Sequence, residues 1–179
     1  MEFLRKNFTA LPCDVICGSI FPLLSVHDLQ ALDTSFTNKD LRSHLRSLWK
    51  AYEYDCMDHV FEFDVAWLCN VGARIISVCL ASNRRIITSL AGLSISLKKL
   101  AAQVPISNEV LVAVAETCPH IEVLELSCED YSEHGLISVA QHCHQLHTIS
   151  WYGDLDPDAI TQALCYNCPH LRHIHITIH

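Results

Sequence analysis

The chain of 179 residues contains little glycine, little proline and little charge. Its 5 glycines and 6 prolines are too few for a collagen-like or low-complexity chain. Charged residues make up 18% of the chain and apolar residues 50%, so the sequence is also too apolar for an intrinsically disordered protein. At this length we expect one ordinary domain, or a small head on a short repeat array, built from long regular elements.

Positive charge is the scarcer sign. The chain has 12 Lys and Arg against 20 Asp and Glu, which gives a formal net charge of −8 with histidine neutral. Because nucleic-acid binding needs a basic surface, we expect no nucleic-acid partner.

A long uncharged apolar run is also missing. The best candidate, Val65 to Ser82, is interrupted by Asn70 and Arg74, so we expect no membrane-spanning segment.

The first residues do not resemble a signal peptide. Glu2 follows Met1 directly, and no apolar run of the required length comes before Pro12. We therefore expect a cytoplasmic protein, or a nuclear one, whose 10 cysteines are reduced. A reduced, unmodified cysteine behaves as a small buried apolar residue.

Common catalytic motifs are absent from the sequence. It contains no G-x-S-x-G, no P-loop and no G-x-G-x-x-G. No cysteine and histidine are combined with a clear orienting partner. We therefore expect a protein that is not an enzyme and that needs no cofactor.

An internal repeat organises the C-terminal half. Cys118, Cys143 and Cys168 are 25 residues apart, and they open the segments CPHIEVLEL, CHQLHTISW and CPHLRHIHI. Each segment has apolar residues in the pattern L-x-x-L-x-L, whose last positions alternate as a short strand requires. The shared apolar positions are Ile121, Leu124 and Leu126, then Leu146, Ile149 and Trp151, then Leu171, Ile174 and Ile176.

The segments between these strands have the apolar spacing of amphipathic helices. Ser107, Ser132 and Asp156 are suitable N-caps, and Pro157 suits a first helical position. In this alignment Cys165 occupies the apolar helix position of Ala115 and Ala140. The sequence therefore predicts a helix before each of the three repeated cysteines.

The repeat weakens towards the N-terminus. Leu97, Leu100 and Ala102 lie 24 residues before Ile121, Leu124 and Leu126, which predicts another unit. A competing register uses Leu90, Leu93 and Ile95, and a further L-x-x-L-x-L pattern uses Ile75, Val78 and Leu80.

The clear units resemble the cysteine-containing subclass of leucine-rich repeats, which reads C-P-x-L-x-x-L-x-L, then a Cys, then I-T-D-x-G-L-x-x-L-A-x-x-C. The resemblance implies an α/β fold, a short solenoid with parallel strands on its concave face and helices on its convex face. It places leucine-rich repeats over residues 51–179, degenerate at 51–105 and clear at 106–179. The matching residues from the first repeated cysteine to the second are Cys118, Pro119, Ile121, Leu124, Leu126, Cys128, Tyr131, Ser132, Glu133, Gly135, Leu136, Val139, Ala140 and Cys143.

The N-terminal third has three stripes of apolar residues at helical spacing, which predict three short helices that must pack on the repeats or on a partner. This stretch follows the pattern L-P-x-E-V-L-x-x-I-F-x-x-L-x-x-x-D-L-x-x-L with a later Leu-Trp, and the residues that match in order are Leu11, Pro12, Asp14, Val15, Ile16, Ile20, Phe21, Leu24, Asp28, Leu29, Leu32 and Trp49. The stretch therefore resembles the F-box, and the resemblance implies that residues 1–50 form this helical module. Thr34 to Asn38 stand where the family has Cys-x-x-Trp.

An F-box followed by such repeats resembles a substrate-recognition adaptor of a cullin-RING (SCF-type) ubiquitin ligase. The resemblance implies that the head docks on the Skp-type linker protein and that the repeats bind a protein target. The alternative is an interaction module whose F-box-like helices only cap the solenoid, with no ubiquitin role. Exposure or burial of Leu11, Pro12 and Phe21 distinguishes the two. The docking candidates are Leu11, Pro12, Val15, Ile20, Phe21, Leu24 and Leu29.

A second candidate surface is the concave face of the predicted sheet, which repeat proteins use for binding. Its histidines can become charged between pH 5 and 8 and contact an acidic ligand. The alternative is a merely solvated sheet face. The candidate residues are Val123, Glu125, Ser127, Thr148, Ser150, Tyr152, His173 and His175.

Cys165 and Cys168, with His170, His173 and His175, have the ligand types and short spacing of a zinc site. Packing explains the same cysteines, and the expected alternation sends His173 and His175 to the opposite side from Leu171 and Ile174. We therefore expect no metal site, and we expect the three repeated cysteines to be buried thiols instead of disulfides.

Overall fold

A computed structural model describes residues 11–36, 39–60, 67–68, 70–80, 96–127 and 131–177. Within these ranges the chain is an α/β protein with a six-stranded parallel sheet and six α-helices. No helix among the described residues is long and apolar enough to cross a membrane.

The strands follow one another across the sheet in chain order. They are β1 (Glu53–Val60), β2 (Arg74–Leu80), β3 (Lys99–Ala102), β4 (Val123–Leu126), β5 (Thr148–Tyr152) and β6 (His173–Thr177). The helices are α1 (Cys13–Val15), α2 (Val26–Ser35), α3 (Lys39–Ala51), α4 (Asn108–Thr117), α5 (Glu133–His142) and α6 (Pro157–Asn167). A π-helical segment (Ile16–Ile20) and a 3-10 turn (Phe21–Leu23) continue α1.

The strand register repeats the spacing of the sequence. Val123 pairs with Thr148 and Thr148 with His173, so each step across the sheet equals the 25-residue spacing of the cysteines. Parallel strands need a crossover, and α5 and α6 provide it between these strands. Helix α5 packs against both α4 and α6. The predicted parallel strands and intervening helices of the C-terminal half are therefore confirmed.

The two weaker units also form strands. Leu97, Leu100 and Ala102 are buried around β3, and Ile75, Val78 and Leu80 are buried in β2. Lys99 pairs with Val123, which is the predicted offset of 24 residues. The competing register at Leu90, Leu93 and Ile95 lies outside the described residues.

The predicted helix starts are confirmed. Ser107, Ser132 and Asp156 are the N-cap residues of α4, α5 and α6, and Asp156 accepts a hydrogen bond from the Asp158 amide at 3.0 Å. Asn108 joins two helix starts, because its Oδ1 accepts from the Ser132 amide at 2.8 Å and its Nδ2 donates to Ser132 Oγ at 3.0 Å. Helices α4 and α5 are thereby held in register.

The repeated cysteines form a buried ladder. Cys143 Sγ donates to the Cys118 carbonyl at 3.7 Å, and Cys168 Sγ donates to the Cys143 carbonyl at 3.5 Å. Cys118, Cys143 and Cys168 are buried free thiols. The thiols of Cys143 and Cys168 therefore link their own units to the preceding ones.

The last unit is less covered than its predecessors. Cys165 was expected to be an inward residue like Ala115 and Ala140, and this prediction was wrong: Cys165 is exposed. Ile176 is 38% exposed, whereas its counterparts Leu126 and Trp151 are buried. Among the described residues β6 pairs only with β5, so the last repeat has a neighbour on one side only.

The head packs on the first strand. Helix α3 ends at Ala51 and β1 begins at Glu53, so the two elements are nearly continuous. Phe21 contacts the rings of Tyr52 and Tyr54, with centroids 5.6 Å and 6.4 Å away. Trp49 is buried in an edge-to-face contact with Trp67 at 5.0 Å. Aromatic packing therefore fixes the head at the N-terminal end of the sheet.

A buried carboxylate joins the two longer helices of the head. Asp33 of α2 is 1% exposed and accepts hydrogen bonds from Arg42 Nε and Nη2, both at 2.7 Å, and from Arg46 Nη2 at 3.3 Å. Both arginines lie on α3, so Asp33 joins the two helices.

The N-terminus of α2 is stabilised by a capping box, in which the side chains of Ser25 and Asp28 each bind the other's backbone amide.

Candidate functional site

The seven docking candidates of the head divide by exposure. Leu11 and Val15 are each 38% exposed, and Pro12 between them is exposed as well. Ile20 and Leu24 are half-buried. Phe21 and Leu29 are buried, with 2% and 1% of their surface exposed.

The exposed members lie in one turn of the chain. The Pro12 carbonyl accepts hydrogen bonds from the Val15 and Ile16 amides, both at 3.1 Å, so residues 12 to 16 form a compact helical turn. Ile16 points into the core and Val15 does not. We call Leu11, Pro12 and Val15 the head patch.

The buried members have a structural role. Phe21 packs on the tyrosines at the start of β1, and Leu29 belongs to the same core. The same matched motif therefore supplies both the packing of the head and its exposed apolar surface. Neither Phe21 nor Leu29 offers its side chain to a partner in this arrangement.

The predicted sheet-face residues lie together in cross-strand rows. Val123, Thr148 and His173 are register partners, as are Glu125, Ser150 and His175, and Tyr152 pairs with Thr177. Ser127 follows β4 and is exposed. Strand β3 extends the rows, because Lys99 pairs with Val123 and Ala101 with Glu125. We call this surface the outer sheet face.

Charge is distributed unevenly along the outer sheet face. Lys99 Nζ lies 3.0 Å from Glu125 Oε1, so these two charges offset one another. Cys79 lies near them, and its burial first, then the Glu125 carboxylate, raise the pKa of its thiol, whereas Lys99 lowers it. This end of the face therefore presents a paired cation and anion beside a buried thiol.

The other end of the face carries two histidines. His173 and His175 are exposed, and their rings stack with centroids 6.3 Å apart. Beside them the backbone of Tyr152 is held by Tyr131, whose hydroxyl donates to the Tyr152 carbonyl at 3.0 Å and accepts from its amide at 3.1 Å. The face thus changes from a charge pair to imidazole and aromatic groups.

The candidate zinc ligands do not converge. The Cys168 thiol points to the carbonyls of Cys143 and Ala140, while Cys165 is exposed on α6. Within the part of the chain that the structure describes, no three His, Cys, Asp or Glu side chains are grouped to hold a metal ion.

Two features of the head were not predicted as functional. Leu23 is 83% exposed, although its sequence position belongs to an apolar helical stripe. Lys39, Arg42, Arg46 and Lys50 lie along α3 at intervals of three or four residues, a spacing that was visible in the sequence. The exposure of Leu23 depends on tertiary packing, so no pattern in the sequence indicated it.

Comparison with known proteins does not assign the chain to a family. No protein-family model matches it, and no curated protein matches it.

Proposed function

We propose that this chain is a non-enzymatic protein-recognition adaptor of the SCF type. In this proposal the N-terminal head is an F-box-like module that docks on a Skp-type linker protein. The following strands and helices are a leucine-rich repeat solenoid whose outer sheet face binds the protein to be ubiquitinated. Cytoplasmic or nuclear localisation follows from this role.

The division of the docking candidates into buried and exposed side chains is the observation that carries the proposal. A docking module needs a buried half that fixes it to its own chain and an exposed apolar half that a partner can cover. Phe21 and Leu29 supply the first, and the head patch supplies the second. Exposed apolar side chains that lie in one turn are typical of a protein interface when they form a continuous surface.

The outer sheet face supports the second half of the proposal. Its register rows combine charged, hydroxyl, aromatic and imidazole groups on neighbouring strands, and extended surfaces of this kind are where repeat proteins bind partners. The head patch and the outer sheet face share no residue, so one chain can hold two partners.

The second candidate function is a repeat-type interaction module that the helices only cap. The contacts of Phe21 with Tyr52 and Tyr54 favour it, because they are the packing that a cap requires. The two functions differ in the head patch, which only the adaptor uses.

The experiment is an isothermal titration calorimetry measurement in which the Skp-type linker protein is titrated into this chain. The test variant is Leu11→Asp with Val15→Asp, since both side chains are exposed and their replacement leaves the core intact. The matched control is Tyr166→Asp with Ile176→Asp, which changes two exposed apolar side chains, 88% and 38% exposed, far from the head in sequence. Phe21→Asp is unsuitable, because a charge at this buried position unfolds the head.

We expect the wild-type chain and the control to bind alike, and the double variant to bind at least tenfold more weakly, about 1.4 kcal/mol. A well-folded wild-type chain that does not bind the linker would exclude the adaptor and leave the capped module. Equal binding by all three chains would move the interface away from the head patch.

A further inference from the structure

One face of α3 carries a row of cations in a chain that is acidic overall. Lys39, Arg42, Arg46 and Lys50 are separated by three, four and four residues, so they follow one side of the helix. Leu45, Leu48 and Trp49 of the same helix are buried beside this row. The two ends of the row, Lys39 and Lys50, are exposed, whereas Arg42 and Arg46 in its middle are half-buried.

These four side chains line a groove of about 480 Å³ between α3 and the residues just before β2. Ser43, Ser47 and Asn70 add hydroxyl and amide groups to the same lining. No acidic side chain among the described residues lines the groove. Asp33 binds Arg42 and Arg46 from outside this lining, so the lining itself is basic.

The groove is partly organised in advance. Asp33 fixes the guanidinium of Arg42 with two hydrogen bonds of 2.7 Å. Lys50 Cε lies 3.1 Å from the place where a Cβ on Gly72 would stand, so its aliphatic chain covers this glycine. Arg46 Nε is buried and has no hydrogen-bond partner among the described residues. The Arg46 side chain is 43% exposed overall, so other N–H groups of its guanidinium can donate to an anionic ligand in the groove.

We infer that this basic groove binds an extended acidic segment of a protein. From residue 39 to residue 50 the row is about 16 Å long, with neighbouring cations about 4.5–6 Å apart along the helix axis. In an extended peptide, alternate side chains lie about 6.8 Å apart on one side, so acidic residues at every second position fit the row. The planar guanidinium groups of Arg42 and Arg46 suit carboxylate partners, as they suit phosphates.

A nucleic acid fits the groove less well. The described lining contains no aromatic side chain on which a base could stack. The net charge of −8 also repels a long polyanion outside the groove. The inference is independent of docking on the Skp-type linker, because the groove shares no residue with the head patch.

The experiment measures fluorescence anisotropy of a labelled peptide of alternating Glu and Gly, added to the whole chain at low salt. A peptide of alternating Gln and Gly and a labelled oligothymidylate of equal charge are measured beside it. The test variant is Lys39→Gln with Lys50→Gln, which leaves the Asp33 contacts untouched. The matched control, Lys98→Gln with Arg172→Gln, removes the same charge from two exposed side chains that lie outside the groove and are not part of the outer sheet face.

We expect the groove variant to bind the acidic peptide about tenfold more weakly and the control variant to bind within about twofold of wild type. Lys39→Arg with Lys50→Arg keeps the charge and retains binding. No binding by the wild-type chain, equal loss in the control, or equal affinity for the neutral peptide overturns the inference. Tighter binding of the oligothymidylate overturns it in favour of a nucleic-acid site.

Discussion

At the scale of single residues, Asp33 is the buried charge that joins the two longer helices of the head. It is 1% exposed, yet it stays ionised because Arg42 and Arg46 both donate to it. The hydrogen bond from Arg42 is the largest cause that lowers the pKa of Asp33, and burial opposes it. A buried carboxylate is tolerated only with such partners.

Replacing Asp33 by Asn removes this charge with little change of shape. We expect Asp33→Asn to lower the free energy of unfolding by about 2 kcal/mol at pH 7. Because the folded pKa is lowered, the contribution of Asp33 is complete above the ordinary aspartate pKa of about 3.9 and is lost as the pH falls through the folded value. Urea unfolding of both chains should therefore show a difference at pH 7 that shrinks at pH 3. A difference of equal size at both pH values would contradict this role.

The cysteines give a second prediction at this scale. Burial first, and then the neighbouring cysteines, raise the pKa of Cys143 to about 12 and that of Cys168 to about 11. The thiolate is the reactive form, so we expect iodoacetamide to modify the exposed Cys13 and Cys165 long before Cys143 in the folded chain. Mass spectrometry of timed samples at pH 8 measures the order. Modification of Cys143 as fast as Cys165 would show that the ladder is open.

At the scale of elements, two glycines in helical segments have opposite surroundings. A Cβ on Gly18, in the π-helical segment, would meet nothing within 4 Å. A Cβ on Gly135, in α5, would lie 2.7 Å from Asn108 Oδ1 and 2.9 Å from Leu111 Cδ1. Gly135 therefore lets α5 approach α4 closely and leaves room for the Asn108 contacts with Ser132.

The same substitution at the two glycines should have opposite effects. We expect Gly18→Ala to raise the free energy of unfolding by about 0.5–1 kcal/mol, because alanine loses less backbone entropy in a helical segment. Gly135→Ala should lower it by about 1–3 kcal/mol, because the added methyl group overpacks the contact between α4 and α5. Thermal and urea unfolding of the two variants measure both changes. A shift of the same sign in both would contradict the assigned packing.

At the scale of the whole molecule, the sequence predicted the features that depend on the spacing of residues along the chain. It failed for residues whose burial depends on a neighbouring unit. The 25-residue spacing of the repeated cysteines equals the offset between paired residues of β4, β5 and β6, and the predicted N-caps begin α4, α5 and α6. Cys165 was misplaced because the inward position it shares with Ala115 and Ala140 is buried only when another unit covers it.

The candidate sites show the same limit. The F-box-like pattern selected Leu11 and Phe21 together, but only packing against Tyr52 and Tyr54 decides that Phe21 is buried and Leu11 exposed. The alternation of the strands did predict which residues share the outer sheet face, because a period of two fixes the side on which each residue lies.

We propose that the head patch contacts the linker protein while the outer sheet face stays free of it. Hydrogen–deuterium exchange of this chain, measured with and without the Skp-type linker protein, distinguishes the two surfaces. We expect slower exchange in peptides that cover residues 11–24 and unchanged exchange in those that cover 131–177. Unchanged exchange at 11–24 in a folded chain, or protection confined to β4, β5 and β6, would contradict docking through the head patch.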